Sequence, residues 1–185
     1  RCNIVKALKI IFLFCSIALI ASCGNRGSKG ESSFTETAVK EENSYAKFFE
    51  ITNYSNCKVI SVINPWDTTR TLQEYVLVDK NIPLPDGLPK GTVIRTPVEN
   101  VIMYSTIHAS IWEKLGALES VVGICEPEYL TSERAKQMMA EGKIHNCGMA
   151  SSPNVEKIMD IEGRFIVASP FENGGYGQAE KLGIP

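Results

Sequence analysis

Along most of the chain the spacing of apolar and polar positions changes its rhythm once. Residues 45–52 carry Tyr45, Phe48, Phe49 and Ile51, and residues 57–64 carry Val59, Ile60, Val62 and Ile63. Both runs are aromatic and β-branched, which suits a pleated, half-buried surface, and Asn53-Tyr54-Ser55-Asn56 between them is turn chemistry; together they predict a hairpin. A third strand is predicted over Glu74–Asp79. Residues 81–91 hold Pro83, Pro85, Asp86, Gly87 and Pro89, which excludes regular structure there. Beyond them strand and helix alternate. Glu99–Tyr104 reads as a buried strand. Ser105 or Thr106 then caps a helix that ends near Gly116, with Ile107, Ile111, Leu115 and Leu118 at near-helical spacing on one face. Val121–Cys125 is the next strand, and Thr131 is expected to cap a helix over 132–141 that Gly142 stops. Ile144–Cys147 is a short strand. Pro153 suits the first position of a helix with Val155, Ile158 and Met159 turned inward. Arg164–Ala168 closes the series as a strand, followed by a short helix at Gln178–Leu182. This order implies an α/β fold with a mostly parallel sheet and helices on both faces.

The first residues follow another logic. Arg1, Lys6 and Lys9 precede an uninterrupted, largely apolar run from Ile10 to Ile20 and then small residues, the order of a secretory signal. That run is shorter than the ~20 residues that span a bilayer well. It ends in Leu19-Ile20-Ala21-Ser22-Cys23-Gly24, which resembles a bacterial lipoprotein box; the resemblance implies that Cys23 becomes the lipidated first residue of the mature chain. A plain secretory signal or a short membrane anchor is the other reading. Residues 23–43 are then a tether of Gly, Ser, Thr, Glu and Lys with too little apolar surface to offset its ordering entropy. The expected location is the periplasmic side of the cell envelope, anchored by lipid.

Composition narrows the function. The 185 residues are 44% hydrophobic and 22% charged, which is globular and excludes a disordered or coiled-coil chain. The net charge is −2, but residues 1–22 hold three of the 19 Lys and Arg and none of the 21 Asp and Glu, so the remainder stands at −5. An acidic body gives no electrostatic footprint for nucleic acid. Of the six cysteines, Cys2 and Cys15 leave with the signal and Cys23 takes lipid. Cys57, Cys125 and Cys147 remain, an odd number that forms no closed disulfide framework.

Two segments resemble one family. Pro97-Val98-Glu99-Asn100-Val101-Ile102-Met103-Tyr104-Ser105-Thr106, followed by Glu113-Lys114-Leu115-Gly116-Ala117 and Val121-Val122-Gly123-Ile124, is similar to the opening of the periplasmic binding proteins for iron-siderophores, haem and cobalamin. Gly148, Ser152-Pro153-Asn154-Val155-Glu156-Lys157-Ile158 and Gly163-Arg164-Phe165-Ile166-Val167-Ala168 resemble that family's second helix and strand, with Gly163-Arg164 in place of the usual Pro-Asp. The hairpin region, with Asn64-Pro65-Trp66-Asp67, looks like an extension found in Bacteroidetes-type members. The resemblance implies a signal over 1–22, a tether over 23–43, a hairpin extension over 44–96 and the first of two α/β lobes over 97–185. Lys181-Leu182-Gly183-Ile184-Pro185 reads as a helix stop and the start of another strand, so the second lobe and the helix joining it are expected to lie beyond this chain. The family's function would be delivery of a metal chelate to an ABC permease, with Glu156 projecting from the lobe tip to dock on permease arginines. A fragment of this kind is expected to aggregate and to bind chelate weakly.

Ligands of open parallel sheets bind beyond the carboxyl ends of the strands. Those positions supply Tyr104, Ser105, Thr106, His108, Glu126, Met149, Ser151, Phe171 and Tyr176 as candidate ligand contacts. Backbone N–H groups at the helix starts near Thr106 and Pro153 suit an anionic or carbonyl-bearing chelate, and the aromatic residues suit an apolar ligand face. The plainer reading makes Ser105 and Thr106 caps and Gly174-Gly175 a turn. His108, Cys125, His145 and Cys147 invite zinc, but their spacing matches no closed motif and no protein-bound metal or cofactor is expected. Tyr104 or Met149 as an axial haem ligand stands against loop packing, and Cys57 reads as structural. Gly-x-Ser-x-Gly, His-Glu-x-x-His and Walker motifs are all missing, and Pro127 between Glu126 and Glu128 favours a solvated loop over acid–base work. An α/β hydrolase-like enzyme and a structural surface lipoprotein are the alternatives to the binding protein.

Overall fold

The computed structural model describes residues 37–169 and 177–185. The signal, Cys23, most of the tether, Phe171 and Tyr176 lie outside the described residues.

The β-rich first part is larger than the hairpin and single strand expected. β1 (Val39–Lys40), β2 (Phe49–Asn53), β3 (Lys58–Ile63), β4 (Thr71–Asp79) and β5 (Thr92–Thr96) form one five-stranded sheet in chain order. The first four strands pair antiparallel, whereas β5 runs parallel to β4. A parallel neighbour needs a crossover, and the Pro-rich residues 80–91 supply it without regular structure. The Arg95 guanidinium donates to the Ile82 carbonyl at 2.5 Å, drawing this connection over the sheet face that carries Val76 and Val78, both fully buried. Tyr45–Phe48 is not strand: the Asn43 side chain accepts from the Tyr45 and Ala46 amides and bends the chain into a loop.

The Thr96–Pro97 peptide, which is cis, leads into the second sheet. This sheet is wholly parallel, in the order β11-β6-β7-β8, with β6 (Val101–Met103), β7 (Val121–Ile124), β8 (His145–Asn146) and β11 (Phe165–Val167). Between β8 and β11, β9 (Gly148–Met149) and β10 (Ser152–Pro153) form a small antiparallel pair. The helices are α1 (Thr106–Lys114), α2 (Glu133–Ala140) and α3 (Val155–Asp160), with 3-10 turns at Leu118–Ser120, Pro127–Tyr129 and Gly177–Leu182. The chain is therefore α/β, with one parallel sheet and one mostly antiparallel sheet.

Side chains of the parallel sheet divide between two layers. Val101, Met103, Val121 and Ile124 pack with Ala109 of α1 and Ala135 and Met138 of α2 on one face. Ile102, Cys125, Cys147 and Ile166 pack with Ile158 of α3 on the other. The alternation of Ile102 against Val101 and Met103 follows from the two-residue period of a strand.

Ser105 caps α1 as expected, whereas α2 starts one residue and α3 two residues later than expected. Ser132, not Thr131, caps α2, its hydroxyl accepting from the Ala135 amide at 2.9 Å. Pro153 belongs to β10, and Asn154 caps α3 by accepting from the Lys157 amide. Gly116 and Gly142 take left-handed conformations just past α1 and α2, as C-terminal glycines do.

The stripe of α1 turns outward, and in α3 Ile158 is buried as expected while Met159 is not. Ile107, Ile111 and Leu115 are 68%, 49% and 70% exposed, and Met159 is exposed as well. α1 carries two apolar stripes, and the smaller one, Ala109 with Trp112, meets the sheet. Ala109 permits close approach, and the Trp112 indole N–H fixes the rotation by donating to Ser120 Oγ at 3.1 Å.

Candidate functional site

β6 is the first strand of the parallel sheet; β7 and β8 add on one side of it and β11 on the other. Right-handed crossovers that move in opposite directions from one strand cover opposite faces. α1, leaving β6, accordingly lies in the first layer, whereas Leu182 and Ile184, which follow β11, pack against the second. Beyond the paired ends of β6 and β11 the chain therefore turns to opposite layers, the topological position at which open α/β sheets take ligands in a crevice.

The rim is built from four strand ends. After β6, the Tyr104 amide donates to the Val167 carbonyl at 3.0 Å, keeping β6 and β11 together to the last residue. The Tyr104 side chain is only 5% exposed and belongs to the core, so it forms the floor of the crevice and no open aromatic rim. Ser105 is the cap of α1, accepting from the Ile107 amide at 3.3 Å, while its carbonyl accepts from His108. Thr106 begins the helix, and its carbonyl accepts the Ser110 hydroxyl. The first-turn amides of Ile107 and His108 are therefore already engaged by Ser105.

His108 reaches across the crevice. Its Nε2 lies 3.4 Å from Ser169 Oγ, just after β11, and its Nδ1 is buried with no hydrogen-bond partner among the described residues. A hydroxyl beside an imidazole is the start of a nucleophile–base pair, and a catalytic imidazole also needs a group to orient its other nitrogen, which no described residue supplies. What the pair offers is a polar contact between α1 and the chain after β11. Residues 61 positions apart meet only through the strand order, and no local signal marks Ser169 as the partner of His108.

After β7, Glu126 takes a left-handed φ of 53° and its amide donates to the Gly148 carbonyl at 2.8 Å, tying the loop after β7 to the loop after β8. Its side chain is half-buried, whereas Glu128 is exposed. Met149 is 57% exposed on β9, and Ser151 is exposed in the turn that follows. The structure therefore gathers Ser105, Thr106, His108 and Ser169 at the switch point, with Glu126, Met149 and Ser151 on the loops of the neighbouring strands. Glu156 stands apart, exposed in the first turn of α3.

Cys125 and Cys147 are wholly buried beneath the rim. Desolvation, with smaller contributions from Cys147 and Glu126, pushes the Cys125 thiol up to about 12. Desolvation likewise pushes Cys147 up to about 11, against partial opposition from Lys157 and the Ile124 backbone. Among the described residues no three His, Cys, Asp or Glu side chains come together to hold an ion.

The chain is 25% identical over 177 aligned positions to an uncharacterized lipoprotein of Methanocaldococcus jannaschii, an alignment that covers 81% of this chain and 42% of that protein. The chain thus spans less than half the length of the curated relative it matches. No protein-family model matches the chain, and no solved structure matches it.

Proposed function

We propose that the chain carries the first ligand-binding lobe of a lipid-anchored solute-binding protein, which receives a metal chelate of the iron-siderophore, haem or corrinoid type and delivers it to an ABC permease. The observation that carries this reading is the meeting of His108 with Ser169 at the β6–β11 switch point, on the same edge of the parallel sheet as the loops after β7 and β8. Such an edge presents a few convergent polar groups over an apolar floor, the chemistry that holds a large, partly apolar ligand by its carbonyl or carboxylate groups. The signal-like leader and the lipoprotein relative support anchorage in the envelope. Exposed Glu156 in the first turn of α3 supports a docking role, because a carboxylate there is free of any described ion pair in this lobe.

Titration of the full-length lipoprotein with ferric siderophores, haemin and cobalamin tests the proposal. Saturable binding of one class, weakened at least tenfold when His108 and Ser169 are both replaced by Ala, is the expected result. Absence of binding to all three classes would favour a structural surface lipoprotein instead.

A further inference from the structure

We infer that Cys125 and Cys147 form a disulfide across β7 and β8, bracing the two loops that carry Glu126 and Met149. The inference rests on the envelope reading only for the compartment in which the oxidant is met. β7 and β8 pair in parallel with Gly123 opposite His145 and Ile124 opposite Asn146, and Cys125 and Cys147 are the residues that follow this last pair on each strand. The Cys147 amide donates to the Ile124 carbonyl at 2.9 Å, which holds the strands together up to that pair. Both side chains enter the layer that contains Ile102 and Ile158, whereas Ile124, one residue before Cys125, enters the other. Adjacent strands lie ~4.8 Å apart, within the ~4.4–6.8 Å between Cα atoms that a disulfide spans.

The sulfurs already occupy the strip between the strands. Cys125 Sγ lies 3.8 Å from the Cys147 carbonyl oxygen. Cys147 Sγ leans over Gly123, where it would stand 2.5 Å from an added Cβ. Both are free thiols in this structure, with Cys147 Sγ also 3.8 Å from the His145 carbonyl oxygen, so joining them requires the sulfurs to turn toward each other. Cys57 is buried in the first sheet, so it has no place in this pair.

The oxidant is a disulfide, either of an extracytoplasmic thiol oxidase or of oxidised glutathione. One cysteine thiolate attacks an oxidant sulfur and expels a thiolate, leaving a mixed disulfide. The second cysteine, as thiolate, attacks the chain's own sulfur in that bond and expels the other oxidant thiolate. One S–S bond forms in the protein, one is lost from the oxidant, and the two thiol protons and two electrons end on the oxidant. Both thiols are fully buried in the fold, so exchange precedes closure of the core, while the chain folds after export.

The full-length protein, isolated without reductant, is unfolded in iodoacetamide and digested with trypsin. The expected product joins residues 115–134 to residues 144–157, two hydrogens lighter than the separate peptides, with Cys57 alkylated. A second sample is reduced, unfolded and refolded with oxidised glutathione. Reductant should lower the melting temperature of the linked protein by a few degrees and leave Cys125→Ala and Cys147→Ala unchanged. Alkylated Cys125 and Cys147 in both samples, or a link through Cys57, would overturn the inference. A link formed with glutathione but lacking in the isolated protein would sustain the pairing and overturn the envelope reading.

Discussion

Gly123 sits in β7 where a methyl group has no room: an added Cβ would lie 2.5 Å from Cys147 Sγ, 2.9 Å from Ile102 Cδ1 and 3.0 Å from Ile161 Cδ1. Overpacking of this kind costs ~1–3 kcal/mol, so Gly123→Ala should lower the unfolding free energy of the reduced protein in urea by about that amount. Adding Cys147→Ala should recover part of the loss and no more, because Ile102 stays in place. The buried thiols make a second prediction, for the reduced protein. An unfolded thiol releases its proton near 9.0, while Cys125 and Cys147 hold theirs to about 12 and about 11. Below pH 9 both states keep the protons and the contribution to stability is complete. As pH rises from there toward 11 and 12 the unfolded chain alone gives them up, and stability falls. Urea titrations between pH 8 and 11 should show that decline, and replacing both residues by Ala should flatten it.

Secondary-structure elements were more legible than the faces they present. The β-branched runs marked β2, β3 and β4, and the glycines past α1 and α2 marked their ends, because both signals are local. β5 escaped notice: Thr92–Thr96 is five residues between Gly91 and Pro97, and nothing local announces a parallel partner already in place. In α1 two apolar stripes competed, and the indole bond to Ser120 decided between them. The rim was legible as a set of strand ends, but its inner geometry was not, since Tyr104 as floor and the meeting of His108 with Ser169 depend on β11 lying beside β6. Cap residues give the matching experiment. Ser132 is 7% exposed and satisfies the amide of wholly buried Ala135. Ser132→Ala should cost ~1–2 kcal/mol by chemical denaturation, and Ser132→Asp should restore most of it.

For the whole molecule, the proposed role divides ligand capture from delivery. Glu156→Ala should leave ligand affinity and melting temperature nearly unchanged while association with the permease weakens by ~2–5 kcal/mol, the cost of losing one partner of a desolvated charge pair. Pull-down with detergent-solubilised permease, run beside a ligand titration, separates the two effects. The architecture has a separate bearing on cooperativity. The two sheets share no strand, and between them lies a crevice of about 380 Å³ lined by Tyr75, Leu77 and Ile94 on one side and Trp112, Phe165 and Val167 on the other. Two hydrogen-bond ladders that meet across a gap open as separate units. Amide exchange on the Gly123→Ala protein should therefore quicken in β6, β7 and β11 while the amides of β2, β3 and β4 keep their wild-type protection. Equal quickening in both ladders would mean that the chain opens only as one piece.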